Sequence, residues 1–357
     1  MKIAQITPSY FPHIGGIETH VKEISERLTH HHDVEVICAD LSPLLKRTEI
    51  INGVKITRFR SFTWRNTLYL SPGIYAYLKK NRYDVIHAHN YHALPAMFAS
   101  MAQPNNLIFT PHYHGKGSTP LTNILLKPYY YLGKRMLHRA KKVICVSEYE
   151  KDLIVNDFHL SSDNISIIPN GVDLEVIRNV KPFDFPKNLI LSIGRLDKYK
   201  NIDLTMKAMS HLPDFNFYII GKSGNYKKEL FCVIKNLDLN ERVKILDHVT
   251  DEDKYRWLKT CSLFVNLSDT EAFGITVLEA LAAGKSVIVN NSGGLREFVG
   301  KYKDEVIGIE KNQLSEERLA KLIKERSGLE FKRDFSEYDW NTISQKIEQE
   351  YFDIVSD

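Results

Sequence analysis

Ser268-Asp269-Thr270-Glu271-Ala272-Phe273-Gly274-Ile275-Thr276-Val277-Leu278-Glu279-Ala280-Leu281-Ala282-Ala283-Gly284 is the stretch on which the reading of this chain turns. It follows an apolar run, Ser262–Leu267, that reads as a buried strand. From Ile275 the apolar residues Ile275, Leu278 and Ala282 recur at helical spacing, so a helix is expected to begin near Gly274. The amides of Phe273, Gly274 and Ile275 then point out of the helix start with the positive end of its dipole, which suits a phosphate. Glu271 lies in the loop just before them, and Glu279 sits roughly 7 Å further along the helix at about 1.5 Å per residue. Two acids so spaced can hold one ligand at two points with a phosphate between them. An ordinary helix with Glu as a good helix former shows the same periodicity, so spacing alone leaves both readings open.

With 357 residues the chain is long enough for two domains with a core each. It alternates strand-like and helix-like segments throughout. Strands are expected at Lys2–Thr7, Asp33–Ala39, Val54–Phe59, Val85–Ala88, Leu107–Thr110, Val143–Val146 and Ile165–Ile168 in the first half. In the second half they are expected at Leu189–Ile193, Phe215–Ile220, Val243–Leu246, Leu263–Leu267 and Val287–Asn290. The clearest helix is Ile17–Leu28, whose Ile17, Val21, Ile24 and Leu28 form one apolar stripe. Such alternation predicts an α/β protein of two doubly wound Rossmann-like domains, 1–173 and 174–339, facing each other across a cleft. Ligands of such sheets bind at the carboxyl ends of the strands.

The chain starts directly in a strand, with no apolar segment of a secretion signal, and no apolar run approaches the length of a membrane span. Cys38, Cys145, Cys232 and Cys261 stand singly among apolar neighbours and read as reduced core residues of a cytoplasmic protein, without metal-ligand spacing. The net charge of +4 conceals an asymmetry: from Ile50 to Ser147 the only acid is Asp84, against fourteen Lys and Arg. Gly115–Lys142 holds no acid at all. Leu121, Ile124, Leu125, Leu126, Tyr129, Tyr130, Tyr131 and Leu132 are mixed there with Lys127, Lys134, Arg135, Arg139, Lys141 and Lys142. Two readings stand: a peripheral docking face for an anionic membrane or lipid headgroup, or a core-facing helix with a basic outer face. No nucleic-acid reading motif is present, so nucleic acid is not expected as a partner.

Three further loops carry candidate chemistry. After the first strand, Gly15 and Gly16 open a helix, where a ligand can approach the backbone and free amides can bind it. The strand Leu189–Ile193 runs into Gly194-Arg195-Leu196-Asp197-Lys198-Tyr199-Lys200-Asn201, in which Arg195 offers a planar fork and Lys200 a mobile point charge for a diphosphate. Phe109-Thr110-Pro111-His112-Tyr113-His114 ends another strand, and a histidine there can donate to a ligand hydroxyl. His114 is the second candidate. His87 and His89 read as bordering the core, although His89 ends a strand and could face the acceptor. Other motifs fail. Gly-Lys-Ser at Gly221 and Gly284 lacks the earlier glycine of a P-loop, with Asn216 and Glu279 in its place, and no G-x-G-x-x-G follows the first strand. Asp251-Glu252-Asp253 reads as capping a helix, where acids complement the dipole.

Glu271-Ala-Phe-Gly-Ile-Thr-Val-Leu-Glu279-Ala-Leu-Ala-Ala-Gly284 resembles the E-x7-E signature of the retaining glycosyltransferases of family 4, which have the GT-B fold. The Gly15-Gly16 loop, Thr110-Pro111-His112, Pro169-Asn170-Gly171-Val172-Asp173 and Gly194-Arg195-Leu196 with Lys200-Asn201 are similar to further family motifs; the spacer before Lys200 is shorter here. The resemblance implies a metal-independent hexosyltransferase that uses a nucleoside-diphosphate sugar and no cofactor. Arg195 and Lys200 would take the diphosphate, and Glu279 the ribose diol through two hydrogen bonds. Glu271 with the Phe273 and Gly274 amides would face the sugar, Ile275 would add to the donor site, and Gly15, Gly16 and His112 would approach from the first domain. It also implies that the final helix, 340–357, packs back on the first domain. The acceptor is expected to be lipid-linked or otherwise anionic. A GT-B nucleotide-sugar epimerase and a non-enzymatic membrane-associated scaffold are the alternatives.

Overall fold

The computed structural model describes residues 1–13, 15–40, 42, 44–64, 67–115, 127–221 and 224–356. The chain divides into two compact units, Met1–Gly171 with Trp340–Asp357, and Val172–Asp339.

The strands of the first unit are β1 (Lys2–Thr7), β2 (Asp33–Asp40), β3 (Thr48–Ile51), β4 (Val54–Arg60), β5 (Phe62–Trp64), β6 (Thr67–Leu70), β7 (Val85–His89), β8 (Leu107–Thr110), β9 (Lys142–Cys145) and β10 (Ile165–Ile167). Eight of them form one sheet in the order β10-β9-β8-β7-β1-β2-β4-β3, while β5 and β6 pair as a separate antiparallel hairpin. All pairs in the large sheet are parallel except the edge pair β3–β4. Strands buried on both faces read as near-continuous apolar runs, which is why they were expected. The short edge strand β3 and the β5–β6 hairpin carry no such run and were not.

One face of this sheet is closed by the last helix, Trp340–Ser356. Its Trp340, Ile343, Ile347, Tyr351 and Ile354 recur every three or four residues and pack on Ile3, Val85, Ile108 and Ile144 of four adjacent strands, with Ile24 and Leu28 beside them. Gly171 has to be glycine for this packing. A Cβ there would stand 2.6 Å from the Trp340 ring, so it is packing that requires the glycine of the Asn-Gly pair.

The second unit holds β11 (Leu189–Ile193), β12 (Asn216–Ile220), β13 (Val243–Leu246), β14 (Leu263–Asn266), β15 (Val287–Asn290) and β16 (Val306–Ile309). They form one parallel sheet in the order β13-β12-β11-β14-β15-β16. Counted along the chain this is 3-2-1-4-5-6, the order of a dinucleotide-type doubly wound sheet. Strand order reverses between β11 and β14 here, and between β1 and β7 in the first unit.

One expectation is corrected. Cys38, Cys145 and Cys261 are buried and unpaired, but Cys232 is exposed, because it lies on the solvent side of the amphipathic helix Lys227–Asn236, whose Leu230 and Ile234 face the core. The excess of basic residues is partly neutralised in space by acids remote in sequence. Lys55 pairs with Glu35 at 3.2 Å, Lys142 with Glu350 at 3.9 Å, and buried Arg58 with Glu49. Lys141 donates to the Ile354 carbonyl at 3.3 Å. On the helix Lys127–Arg139, Tyr129, Met136 and Leu137 are buried while Tyr131 and Leu132 are 74% and 44% exposed, with Arg135 exposed beside them. Leu121 and Ile124–Leu126 lie outside the described residues.

The packing of the last helix makes a prediction. Ile347→Ala should destabilise the protein by about 2–5 kcal/mol, the usual loss for a large buried aliphatic. Val355→Ala, on the exposed side of the same helix, should change it by no more than about 0.5 kcal/mol. Urea unfolding of both variants measures the difference, and equal effects would mean that the helix does not close the sheet.

Candidate active site

In a doubly wound sheet, ligands sit outside the carboxyl ends of the strands where the order reverses. In the second unit these ends are Ile193, followed by Gly194–Asn201, and Asn266, followed by Leu267–Gly274. The two loops are tied together. Asn201, held at φ +52°, donates its side-chain amide to the Leu267 carbonyl at 2.8 Å and to Asp269 at 3.0 Å. The Asp269 amide donates to the Tyr199 carbonyl at 2.8 Å. Lys200 thereby reaches Glu271 and forms an ion pair with it, both side chains mostly shielded. Burial alone would lower the pKa of Lys200; the Glu271 carboxylate, then Tyr199, more than offset this and hold the ammonium above its usual value. Arg195 bonds the Tyr199 hydroxyl at 2.8 Å and lies 3.6 Å from the Asp197 carboxylate, yet its side chain remains 63% exposed and can still reach an anion.

The helix expected near Gly274 spans Ile275–Ala282. Gly274 caps it at φ +110°, a conformation that glycine adopts without strain, and a Cβ there would also stand 2.6 Å from Leu295. The amides of Ile275 and Thr276, in the first turn, have no upstream carbonyl in helical register. The loop before them is braced by Gly294, whose amide donates to the Glu271 carbonyl at 2.9 Å. Phe273 is buried against Phe298, with ring centroids 5.2 Å apart.

Glu279 is 3% exposed, and Lys254, a residue that sequence reasoning passed over, pairs with its Oε1 at 2.7 Å. Tyr255 donates to the same oxygen at 3.3 Å. Burial opposes the charge on Lys254, but Glu279 outweighs it and the pKa is pushed up. Oε2 of Glu279 is buried without a hydrogen-bond partner. Oε2 is thus the Glu279 oxygen left to accept hydrogen bonds from a ligand. Lys254 follows directly on Asp251–Asp253, whose helix is capped by the Thr250 hydroxyl accepting from the Asp253 amide at 3.1 Å.

In the first unit the loop after β1 leads to Gly15 and the helix Gly16–Leu28. The helix start is already engaged by its own acid: Glu18 accepts from the Ser9 hydroxyl and lies against Gly15. His112 follows β8 at φ +49°, a strained position for a residue with a Cβ, and its Nε2 is buried without a hydrogen-bond partner. His89 stacks on it at 5.9 Å, and His20 meets it edge-on at 5.1 Å. Both His87 and His89 are fully buried. Burial lowers the pKa of His20 to about 4, against a small opposing effect of the Asn170 hydrogen bond. Burial, then the neighbouring imidazoles, holds His89 and His112 well below the usual value. His114 lies beside His92, with centroids 5.4 Å apart. The structure thus brings Arg195, Lys200, Glu271, Gly274, Ile275 and Glu279 to one switch point, and Gly15, Gly16 and His112 to the other unit's strand ends.

The comparisons with known proteins agree with this architecture. The model of Glycosyltransferase Family 4 matches residues 14–176, and that of Glycosyl transferases group 1 matches residues 173–341. The chain belongs to the family 4, group 1 glycosyltransferases. An uncharacterised glycosyltransferase of Methanocaldococcus jannaschii is 29% identical over 346 residues, 92% of each chain. One component of the human phosphatidylinositol N-acetylglucosaminyltransferase is 28% identical over 322 residues, 83% of this chain and 63% of its own. Anabaena HepE, in complex with UDP and glucose, superposes with a TM-score of 0.77 at 19% identity, over 98% of this chain and 99% of its own. The fold of this glycosyltransferase is accordingly GT-B.

Removing one partner of a buried ion pair strands the other charge. Glu279→Ala and Lys254→Ala should each destabilise the protein by about 3–5 kcal/mol. The double variant should fall short of their sum by on the order of 1–3 kcal/mol. Urea unfolding of the four proteins gives the cycle, and additive losses would show that the two side chains act independently.

Proposed function

We propose that this glycosyltransferase transfers a hexose from a nucleoside-diphosphate sugar, with retention at the anomeric carbon. The observation that carries the reading is Glu279 Oε2, buried, unpaired and set one turn inside the helix that starts at the second unit's switch point. A buried carboxylate oxygen without a donor costs about 1–3 kcal/mol or more, and a ribose hydroxyl is a donor of the right kind. Arg195, exposed and planar, takes the diphosphate together with Lys200, which Glu271 holds in place. The Phe273, Gly274 and Ile275 amides add their dipoles. Gly15, Gly16 and His112 serve the transferred sugar and the acceptor. The cationic side chains and amides stabilise charge on the departing diphosphate, the step in which preorganised donors contribute most. No covalent role is given to Glu271: the departing phosphate assists deprotonation of the acceptor on the same face. The base is selected by a thermal-shift screen of UDP-, GDP- and ADP-sugars, since binding to the folded state raises its stability.

Because Arg195 and Lys200 do the work of a cation, no metal cofactor is required at the diphosphate. Arg195→Ala should lose about 2–4 kcal/mol of transition-state stabilisation, and wild-type turnover should survive excess EDTA. Full activity of Arg195→Ala with every accepted donor, or restoration of chelated enzyme by manganese alone, would reject this arrangement.

The acceptor is proposed to be lipid-linked or otherwise anionic, reached by peripheral docking of the first unit. The human relative's name specifies phosphatidylinositol. Within the described residues no helix is long and apolar enough to cross a membrane. Exposed Tyr131, Leu132 and Arg135 share one helix, and Phe62 at 79% and Leu70 at 44% exposure sit on the β5–β6 hairpin, both elements packing against the helix Leu94–Ala102. Basic residues at an anionic surface contribute about 1 kcal/mol each, and apolar side chains add to that. Co-sedimentation should show binding to anionic vesicles that weakens with salt and with Tyr131→Ser/Leu132→Ser/Arg135→Glu. Equal recovery with neutral vesicles, or none with either, would count against docking.

A further inference from the structure

Three buried imidazoles of the first unit converge without a carboxylate among them. A ligand nitrogen from each of His20, His89 and His112 lies within 4.8 Å of the other two. His20 Nε2, His89 Nδ1 and His112 Nε2 are all buried without a hydrogen-bond partner, and the His20 and His89 side chains are fully enclosed. Three orphaned nitrogens on rings whose centroids stand 5.1–5.9 Å apart are unusual, since the buried polar atoms of folded proteins are nearly all paired.

The opposite nitrogens are held by groups that fix the tautomers. His20 Nδ1 lies 2.7 Å from Asn170 Oδ1, an acceptor only, so Nδ1 carries the proton and Nε2 the lone pair. His89 Nε2 lies 2.8 Å from Gln5 Oε1, so its proton is on Nε2 and its lone pair on Nδ1. Gln5 is oriented in turn, because its Nε2 donates to the Tyr351 hydroxyl at 2.9 Å. That hydroxyl donates to His87 Nδ1 at 2.6 Å, and His87 Nε2 then donates to Thr110 at 2.7 Å. Every proton in this relay is assigned, and its end is a bare lone pair on Nδ1 of His89, whose ring lies 5.4 Å from that of His20 and 5.9 Å from that of His112.

We propose that His20, His89 and His112 bind one divalent ion of the zinc class through neutral imidazole nitrogens. A ring whose other nitrogen donates to a fixed oxygen is the arrangement metal-ligating histidines show, and Asn170 and Gln5 supply it for two of the three. Imidazoles suit zinc, copper and nickel, whereas magnesium and calcium require oxygen ligands that this trio lacks. Three histidines leave a fourth position open. Bonds of about 2.0–2.1 Å demand that the nitrogens draw closer than they stand, and His112, on a loop and partly exposed, is the member able to move. The effect on turnover rests on the proposed role of His112 toward the transferred sugar: an ion that captures His112 withholds it from the donor. The ion is then an inhibitor, and chelator preserves activity.

The test begins with chelator-treated full-length protein, titrated with zinc by calorimetry and with cobalt by its visible absorption. One equivalent should bind, with no comparable binding of magnesium. Binding should disappear in His20→Gln, His89→Gln and His112→Gln, checked for folding by circular dichroism, and should weaken about 10–100-fold in Asn170→Leu. His30→Gln/His31→Gln, which alters a separate run of histidines, should bind as wild type. Absence of zinc binding, survival of binding in His20→Gln and His112→Gln, or its loss in the His30/His31 variant overturns the proposal and leaves the trio to water or a substrate hydroxyl. One equivalent of zinc should also slow transfer reversibly. Tight binding with unchanged turnover would uphold the metal site and reject the role given to His112.

Discussion

A parallel sheet whose strand order reverses leaves two neighbouring loops departing to opposite faces, and the gap between them is the one place where a ligand meets several strand ends at once. In the second unit that gap falls between β11 and β14. Everything argued about the donor depends on how the two loops are joined across it. Asn201 makes the join through one side-chain amide that bonds a carbonyl and a carboxylate of the opposite loop. Together with the bond from the Asp269 amide to the Tyr199 carbonyl it brings Lys200 to Glu271, 71 residues away in sequence.

The cations of this site are handled in two ways. Lys200 and Lys254 are enclosed, and each is neutralised by an acid of the loop–helix segment, so neither stands as an uncompensated buried charge. Arg195 is exposed and retains its capacity to bind an anion. The arrangement preorganises Glu271 and Glu279 as much as it does the lysines. A carboxylate fixed by one oxygen presents the other at a defined angle, and for Glu279 the second oxygen is buried without a hydrogen-bond partner.

Much of this was legible in the sequence because the informative residues are local. Most buried parallel strands announce themselves as apolar runs, although β16, with Gly308 inside it, was not expected, and the E-x7-E stretch contains its strand end, its capping glycine and both acids within one segment. What was not legible depends on distant partners. The β3 edge and the β5–β6 hairpin are short and half-polar, so no run marks them. Lys254 looked like one more residue of a capped helix, because only the fold sets it against Glu279. The charge balance of the first half depends on distant partners for the same reason: Glu35, Glu49 and Glu350, which pair with Lys55, Arg58 and Lys142, lie outside the stretch Ile50–Ser147.

The histidines extend that lesson to protons. Each of His20, His87 and His89 lies on a different stretch of chain from the group that sets its tautomer. For His87 and His89 the settling residue is Tyr351, on the last helix. That helix therefore does more than cover apolar strands. Its tyrosine, held by Ile343, Ile347 and Ile354 packing around it, decides which nitrogen of a buried imidazole is bare on strands far earlier in the chain, His87 being 264 residues away. Replacing the hydroxyl would leave Gln5 free to flip its amide, and a flipped amide would move the His89 lone pair from Nδ1 to Nε2. The closure of the first unit by its final helix and the chemistry available at its strand ends are thus one constraint, expressed in packing at one end and in a proton position at the other.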